Sequence, residues 1–160
     1  GYYNPIFKMG LDNFFSNCKD AGVSGVIIAD IPNIELESIQ ETANNYSIET
    51  IPLVPLNSSE NTVNHACKIG QGFIYCVSVL GVTGTREKLS KNLNAKVNQV
   101  KISSKIPVAV GFGISKKDHI DELKNYADAA VIGSAIIDII SNSEKKEIIN
   151  VVNFIKGLLK

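Results

Sequence analysis

Short apolar strands alternate with amphipathic helical segments along the chain, and this alternation limits the fold more than any other feature of the sequence. The run Gly25–Asp30 is apolar on both faces, so a strand formed there needs cover on both sides, as strands of a parallel sheet do. Five strands are predicted, at Gly25–Asp30, Thr50–Val54, Gly72–Ser78, Pro107–Val110 and Ala129–Ile132. This order of elements predicts an α/β protein.

The segments between these strands carry apolar residues at helical spacing. Leu11, Phe14 and Cys18 fall on one face of a helix, and Gly22 is placed to end it. Helices are predicted over Leu11–Ala21, over Glu35–Tyr46, from a cap at Ser58 or Ser59 to Ile69, over Leu89–Val100, from a cap at Ser115 or Asp118 to Leu123, over Ala135–Ile140 and over Glu144–Leu159.

Composition excludes several classes of partner. Lys and Arg total 16 against 16 Asp and Glu in 160 residues, so the chain has no net charge to attract nucleic acid or an anionic membrane surface. The longest apolar runs, such as Val26–Ala29, are far shorter than the roughly 20 residues of a membrane-spanning helix. No basic and then apolar leader opens the sequence. We therefore expect a cytoplasmic protein with no membrane or nucleic-acid partner.

The cysteines indicate neither a metal site nor a disulfide framework. Cys18, Cys67 and Cys76 form no CxxC motif, and only His65 lies near one of them in sequence. A structural zinc site requires four ligands, which this pattern does not supply. We expect reduced thiols that are buried or half-buried, and no metal ligand in this chain.

The stretch VAVGFGIS at 108–115 ends a strand with two glycines that flank Phe112. Glycine lets the backbone come close to a ligand and reach positive φ, so amide N–H groups can point inward. The next strand ends in Gly133-Ser134, which opens a helix whose N-terminus favours an anion. Either motif alone fits a tight turn or an ordinary Ser134 cap, but together they predict a phosphate site built from Gly111–Gly113 and Gly133-Ser134. Phe112 is either a wall for a flat apolar ligand or a core residue.

Five motifs carry a resemblance to a known family. They are YYNPIF at 2–7, GVIIADIP at 25–32, GFIYCVSVLGVTGTR at 72–86, PVAVGFGIS at 107–115 and VIGSAI at 131–136. In order and spacing they resemble the tryptophan synthase α chain family across the whole chain. The motifs GVTG, GFGIS and GSAI distinguish this family from other phosphate-binding barrels.

The resemblance implies a (β/α)8 TIM-barrel fold. A complete barrel has eight strands and about 250 residues, so residues 1–160 would form a single partial barrel domain covering strands 4 to 8 plus the end of strand 3, with the N-terminal strands missing. The family's two catalytic carboxylates, a glutamate and an aspartate, belong to the missing part. No catalytic residue is therefore assigned here, and the chain alone is expected to be inactive. Asp30 could serve as a general base, but Asp-Ile-Pro is better explained as a turn.

The resemblance also implies an activity, partners and site residues. The family cleaves indole-3-glycerol phosphate reversibly to indole and glyceraldehyde 3-phosphate, a lyase step of tryptophan biosynthesis. It works in an α2β2 complex whose β chain carries the pyridoxal phosphate, so no cofactor is expected in this chain. The residues carried over are Gly84, Gly113, Gly133 and Ser134 for phosphate, Ile27, Ala29, Leu53, Tyr75 and Phe112 for the indole pocket, Thr83 for loop closure, and Asn4 and Pro32 for the β-chain interface.

Two other functions remain open at this point. One is another phosphate-binding barrel, such as an isomerase acting on a phosphoribosyl compound, although the GVTG and GSAI motifs are evidence against it. The other is a truncated, non-catalytic subunit that retains ligand and β-chain contacts. A partial barrel would expose a strand edge and part of its interior, so we expect the chain expressed alone to be aggregated, dimeric or molten.

Overall fold

A computed structural model describes residues 1–78, 92–111 and 113–160. The helices in this part are α1 Tyr3–Met9, α2 Leu11–Asp20, α3 Asn33–Asn45, α4 Glu60–Ile69, α5 Leu93–Ser103, α6 Lys117–Leu123, α7 Ser134–Ser141 and α8 Glu147–Leu159. The strands are β1 Gly25–Val26, β2 Glu49–Thr50, β3 Leu53–Pro55, β4 Ile74–Val77, β5 Val108–Gly111 and β6 Ala129–Val131. Within the described ranges, no helix has both the length and the apolar character needed to cross a bilayer.

The strands form a two-stranded sheet, β1-β2, and a four-stranded sheet in the order β3-β4-β5-β6. Strand β1 pairs parallel with β2, and β5 pairs parallel with β6. The predicted parallel α/β architecture is therefore confirmed. The strand predicted at Thr50–Val54 is divided into β2 and β3, and Pro52 lies in the gap, where its missing N–H cannot contribute to a ladder.

Several helices differ from the predicted ones, and α1, α6 and α8 differ most. Helix α1 is not among the predicted helices, and Pro5 lies in its first turn, where proline is tolerated. Helix α6 begins after Lys116, without a side-chain cap from Ser115 or Asp118. Helix α8 begins at Glu147 rather than Glu144, since Glu144 has φ 36° and Lys145 has φ 70°, which are not helical.

Backbone contacts divide the chain into two compact units. Unit 1 comprises residues 1–54, 58–75 and 100–107, and unit 2 comprises residues 55–57, 76–99 and 108–160. The core of unit 1 lies between β1, β2 and helices α1 to α4, and it consists of Ile6, Phe15, Ile28, Leu36, Ile39, Ala43, Ile48 and Ile69. The assignment of residues 1–160 to a single barrel domain stays a prediction.

In unit 2, strand β5 is buried along its whole length, whereas β6 is exposed at Ala129. The start of this strand pair is fixed by Asp128. Its carboxylate accepts a hydrogen bond from the Val108 N–H at 2.8 Å, and its own N–H donates to the Val108 carbonyl at 2.9 Å. These two bonds set the register in which β5 and β6 run to their carboxyl ends.

Helix α4 has the serine cap that the sequence predicts. The Ser59 hydroxyl accepts a hydrogen bond from the Thr62 N–H at 3.2 Å. Replacing Ser59 by alanine should lower the local stability of the first turn by about 1 kcal/mol. Hydrogen exchange at the Thr62 amide should then be about fivefold faster, since exchange reports the free energy of local opening.

Ser38→Ala is the matched control for this change. Ser38 is exposed within α3, and its hydroxyl donates back to the Glu35 carbonyl, so its loss should not weaken the helix. Equal acceleration of exchange in the α3 and α4 variants would contradict a specific capping role for Ser59.

Candidate functional site

The two glycine motifs of unit 2 leave the same edge of neighbouring strands. In the β5–β6 pair, Gly111 stands opposite Val131. Gly113 and Gly133 each follow two residues later, so both loops begin at the same level, on strands about 4.8 Å apart. In parallel α/β folds this carboxyl edge is where ligands bind. The structure thus brings together two of the glycines that the sequence assigns to phosphate.

Gly113 adopts a backbone conformation that favours glycine. Its φ is 83°, in the left-handed region, and the residue is buried. The loop that follows is held by α6, where the Ser115 N–H donates to Nδ1 of His119 at 3.3 Å. His119 is only 3% exposed. A buried side chain therefore fixes the loop directly after Gly113.

At the other loop, Gly133 is the cap residue of α7, with φ −122° and ψ −81°, and Ser134 is the first helical residue. The alternative of Ser134 as N-cap is therefore wrong. The Gly133 carbonyl accepts from the N–H of Ile136 at 2.9 Å. The N–H groups of Ser134 and Ala135 have no acceptor among residues 1–78, 92–111 and 113–160. Among these same residues, no atom lies within 4 Å of the place where a Cβ on Gly133 would stand.

This arrangement can bind an anion. Unpaired N–H groups at a helix N-terminus carry partial positive charge, and they favour a phosphate oxygen without a charged side chain. No described residue fills the space beside Gly133, which suits such a group next to the backbone. Gly84 and Thr83, which the resemblance adds to this site, lie outside the described residues, as does Phe112.

The end of β4 contributes a serine that the sequence places at a strand end but to which it assigns no role. Ser78 is fully buried, and both its N–H and its hydroxyl donate to the Gly111 carbonyl, at 2.9 Å and 2.7 Å. These bonds join the carboxyl ends of β4 and β5. The only signal in the sequence was the place of a polar residue at the end of an apolar strand.

In unit 1, Ile27 and Ala29 follow directly after β1. Ile28 between them is 1% exposed and packs in the core of unit 1. Because side chains alternate between the two faces of an extended chain, Ile27 and Ala29 point to the opposite side. Ile27 is half-buried and Ala29 is exposed, so this side is not filled by the core.

Leu53 and Tyr75 lie side by side on neighbouring parallel strands. The Tyr75 N–H donates to the Pro52 carbonyl at 3.0 Å, which in a parallel ladder places Tyr75 beside Leu53 with both side chains on one face. Tyr75 is 7% exposed, and burial raises the pKa of its phenol. The Phe73 ring lies 6.4 Å from its ring. The neutral phenol and this neighbouring ring form an apolar surface that suits a flat aromatic ligand.

The two residues assigned to a partner surface are both exposed in unit 1. Asn4 is the second residue of α1, and Pro32 is the cap residue of α3. Asp30, two residues before Pro32, neither ends a strand nor serves only a turn. Its carboxylate accepts a hydrogen bond from the Tyr3 N–H, the first of α1, at 2.7 Å.

His65 and Cys67 do not converge on one point. Nε2 of His65 lies 3.5 Å from a carboxylate oxygen of Glu37 on α3. The Cys67 thiol instead points to the Val100 carbonyl on α5, at 3.7 Å, and burial raises its pKa. Within the described residues, no group of three or more His, Cys, Asp or Glu side chains could hold a metal ion.

Fold and site together define a class, a parallel α/β protein with glycine-lined loops at the carboxyl ends of its strands. Residues 1–157 match the family model of the tryptophan synthase alpha chain. The chain belongs to this family, as the sequence motifs predict.

Individual relatives agree with this assignment. The chain is 43% identical over 139 residues to the tryptophan synthase alpha chain of Methanocaldococcus jannaschii, covering 87% of this chain and 50% of that protein. It is 38% identical over 147 residues to that of Arabidopsis thaliana, covering 91% of this chain and 54% of that one. The chain thus spans about half the length of the curated relatives it matches.

Solved structures agree in fold. A chain of the tryptophan synthase a2b2 complex of the hyperthermophile Pyrococcus furiosus superposes with a TM-score of 0.90 at 33% identity, over 99% of this chain and 64% of that chain. A structure of the tryptophan synthase α-subunit of the same organism gives a TM-score of 0.88 at 31% identity, over 99% and 64% of the two chains. The predicted fold, a part of a TIM barrel, is confirmed.

Proposed function

We propose that this chain is the phosphate- and indole-binding part of an enzyme that cleaves indole-3-glycerol phosphate to indole and glyceraldehyde 3-phosphate. The observation that carries the proposal is the pair of N–H groups at Ser134 and Ala135, which have no acceptor within the described residues and open α7 beside the left-handed Gly113. Main-chain donors of this kind suit a phosphate ester. Membership of the tryptophan synthase α-chain family supports the choice of substrate.

The proposed roles fall into two groups. In unit 2, Gly113, Gly133 and Ser134 hold the phosphate, together with Gly84. Ile27, Ala29, Leu53, Tyr75 and Phe112 are proposed to contact the indole ring. Thr83 belongs to the loop that closes over the substrate. The apolar face of Leu53 and Tyr75 and the exposed side of Ala29 support the second group.

The proton transfers of this cleavage require an acid and a base at the indole ring and at the glycerol hydroxyl. The proposal places both carboxylates in a segment that precedes residue 1 in the family, so residues 1–160 alone are expected to show no turnover. Acid–base chemistry needs no cofactor from this chain, and the pyridoxal phosphate is assigned to a β-chain partner in an α2β2 complex. We place this complex in the cytoplasm.

The second candidate is a non-catalytic subunit that binds the same ligand and a β chain. One observation favours this candidate: the Asp30 carboxylate accepts a hydrogen bond from the first N–H of α1. The acidic residue of the chain that is best placed for catalysis is therefore engaged in a structural contact. The phosphoribosyl isomerase alternative finds no support in the family match.

The test compares two proteins. One is the chain itself, and the other, here named the joined chain, carries in addition the Pyrococcus furiosus α-chain segment that lies outside the match. Release of glyceraldehyde 3-phosphate is measured with and without the P. furiosus β chain. We expect turnover from the joined chain, stimulation by the β chain, and none from residues 1–160.

Two results would change this assignment. Turnover by residues 1–160 alone would place the acid and base within this chain, and Asp30 would be the first residue to replace. A joined chain that binds ligand and β chain but never turns over would favour the non-catalytic subunit.

A further inference from the structure

The carboxylate of Asp30 supplies the hydrogen-bond acceptor at the start of α1, from a position 27 residues further along the chain. The cap residue Tyr2 makes no side-chain cap hydrogen bond, and the first turn of α1, which lies wholly within the described residues, contains no acidic residue. At 2.7 Å the contact is a short hydrogen bond from an N–H to a charged acceptor, and its negative charge also lies at the favourable end of the helix dipole. Helix α1 has only seven residues, so one such contact matters for its placement.

Two backbone hydrogen bonds join the same segments. The Gly1 nitrogen donates to the Ile27 carbonyl at 2.8 Å, and the Ala29 N–H donates to the Gly1 carbonyl at 3.1 Å. This is the pattern of neighbouring parallel strands. Because these two bonds use backbone atoms alone, a substitution at Asp30 leaves them intact and changes only the attachment of α1.

Asp30 lies between residues with different proposed roles. Ala29, which precedes it, is assigned to the indole pocket, and Pro32, two residues later, to the β-chain surface. Through Tyr3 its carboxylate also holds the helix turn that carries Asn4, the other β-chain residue. One side chain thus connects a pocket segment with both parts of the proposed partner surface.

We propose that Asp30 is a positioning residue that sets α1 against the α3 cap, so that Asn4 and Pro32 present one preformed surface to the β chain. This inference rests on the proposed function, because it takes the β chain as the partner. A preformed surface binds more tightly than one that must be ordered on contact. Asp30 therefore acts on partner affinity without touching substrate.

The test uses Asp30→Ala and Asp30→Asn in the joined chain. Affinity for the P. furiosus β chain is measured by calorimetry at a temperature where thermal unfolding shows all variants folded. We expect Asp30→Ala to weaken β-chain binding by about tenfold, the equivalent of one hydrogen bond to a charged group. Asp30→Asn should recover most of the affinity, since its amide oxygen can still accept the Tyr3 N–H.

Asp12→Ala is the matched control. Asp12 is an exposed carboxylate in the first turn of α2, hydrogen-bonded to the Tyr46 hydroxyl at 3.3 Å, and it is not assigned to the partner surface. Its loss should leave β-chain affinity unchanged. Equal affinities for Asp30→Ala and the unsubstituted joined chain, or equal losses in Asp30→Ala and Asp12→Ala, would overturn the inference.

The failure of the proposed function gives a different result. A joined chain without substitutions that shows neither lyase turnover nor β-chain binding would overturn both proposals. Lyase turnover with a β-chain affinity that does not depend on residue 30 would overturn the role of Asp30 alone.

Discussion

Replacing Gly113 by valine is expected to weaken binding of glycerol 3-phosphate by about 10- to 100-fold, the loss of one hydrogen bond to a charged group. The backbone of Gly113 has φ 83°, a conformation that costs a β-branched residue more than most. Valine would turn the local N–H groups away from the ligand. Calorimetry of glycerol 3-phosphate binding to the joined chain measures this affinity, and it does not require turnover.

The backbone strain that valine introduces at position 113 could by itself lower the fraction of folded protein. The control is therefore a substitution that introduces similar strain at a position outside the phosphate site. Gly22 has φ 74° and is exposed, and no atom of the described residues lies within 4 Å of the place where its Cβ would stand. Gly22→Val should therefore cost similar backbone energy while leaving affinity for glycerol 3-phosphate unchanged. Equal affinity in Gly113→Val and the unsubstituted chain would remove Gly113 from the phosphate site.

The sequence predicted most of the fold because its signals are local. Strands apolar on both faces and helices with one apolar face follow from the order of residues alone. The predicted elements differ from the structure where tertiary contacts, rather than the local sequence, determine the conformation. No helix is predicted between residues 1 and 10, yet α1 forms there with Ile6 buried in the core of unit 1. Pro52 looks like part of one strand, yet it separates β2 from β3.

The candidate site was predictable only in its backbone part. Glycines at strand ends indicate close approach of the main chain, so the sequence could predict Gly113 and Gly133 as phosphate ligands, and that role stays a prediction. The side chains that hold these loops could not. Ser78 and His119 act through contacts with Gly111 and Ser115, and nothing in the residue pattern distinguishes such serines and histidines from ordinary ones.

Phe15→Ala is expected to destabilise the joined chain by about 3–5 kcal/mol, because it removes a large side chain from a site that cannot collapse fully around the cavity. Phe15 is 0% exposed, lies in the core of unit 1, and packs edge-on against Phe14 with ring centroids 5.1 Å apart. Such a loss is a large part of the roughly 5–15 kcal/mol of a folded domain. Urea unfolding followed by circular dichroism measures it.

Phe7→Ala makes the same chemical change at the surface of the same unit. Phe7 lies on α1, is 65% exposed, and has one ring neighbour, Tyr3, at 5.9 Å among the described residues. Its removal should cost less than about 1 kcal/mol, as surface substitutions usually do. Equal losses for both variants would mean that unit 1 lacks a tightly packed core. A large difference would show that helices α1 to α3 are held by burial at Phe15, which keeps the segments carrying Asn4 and Pro32 in place.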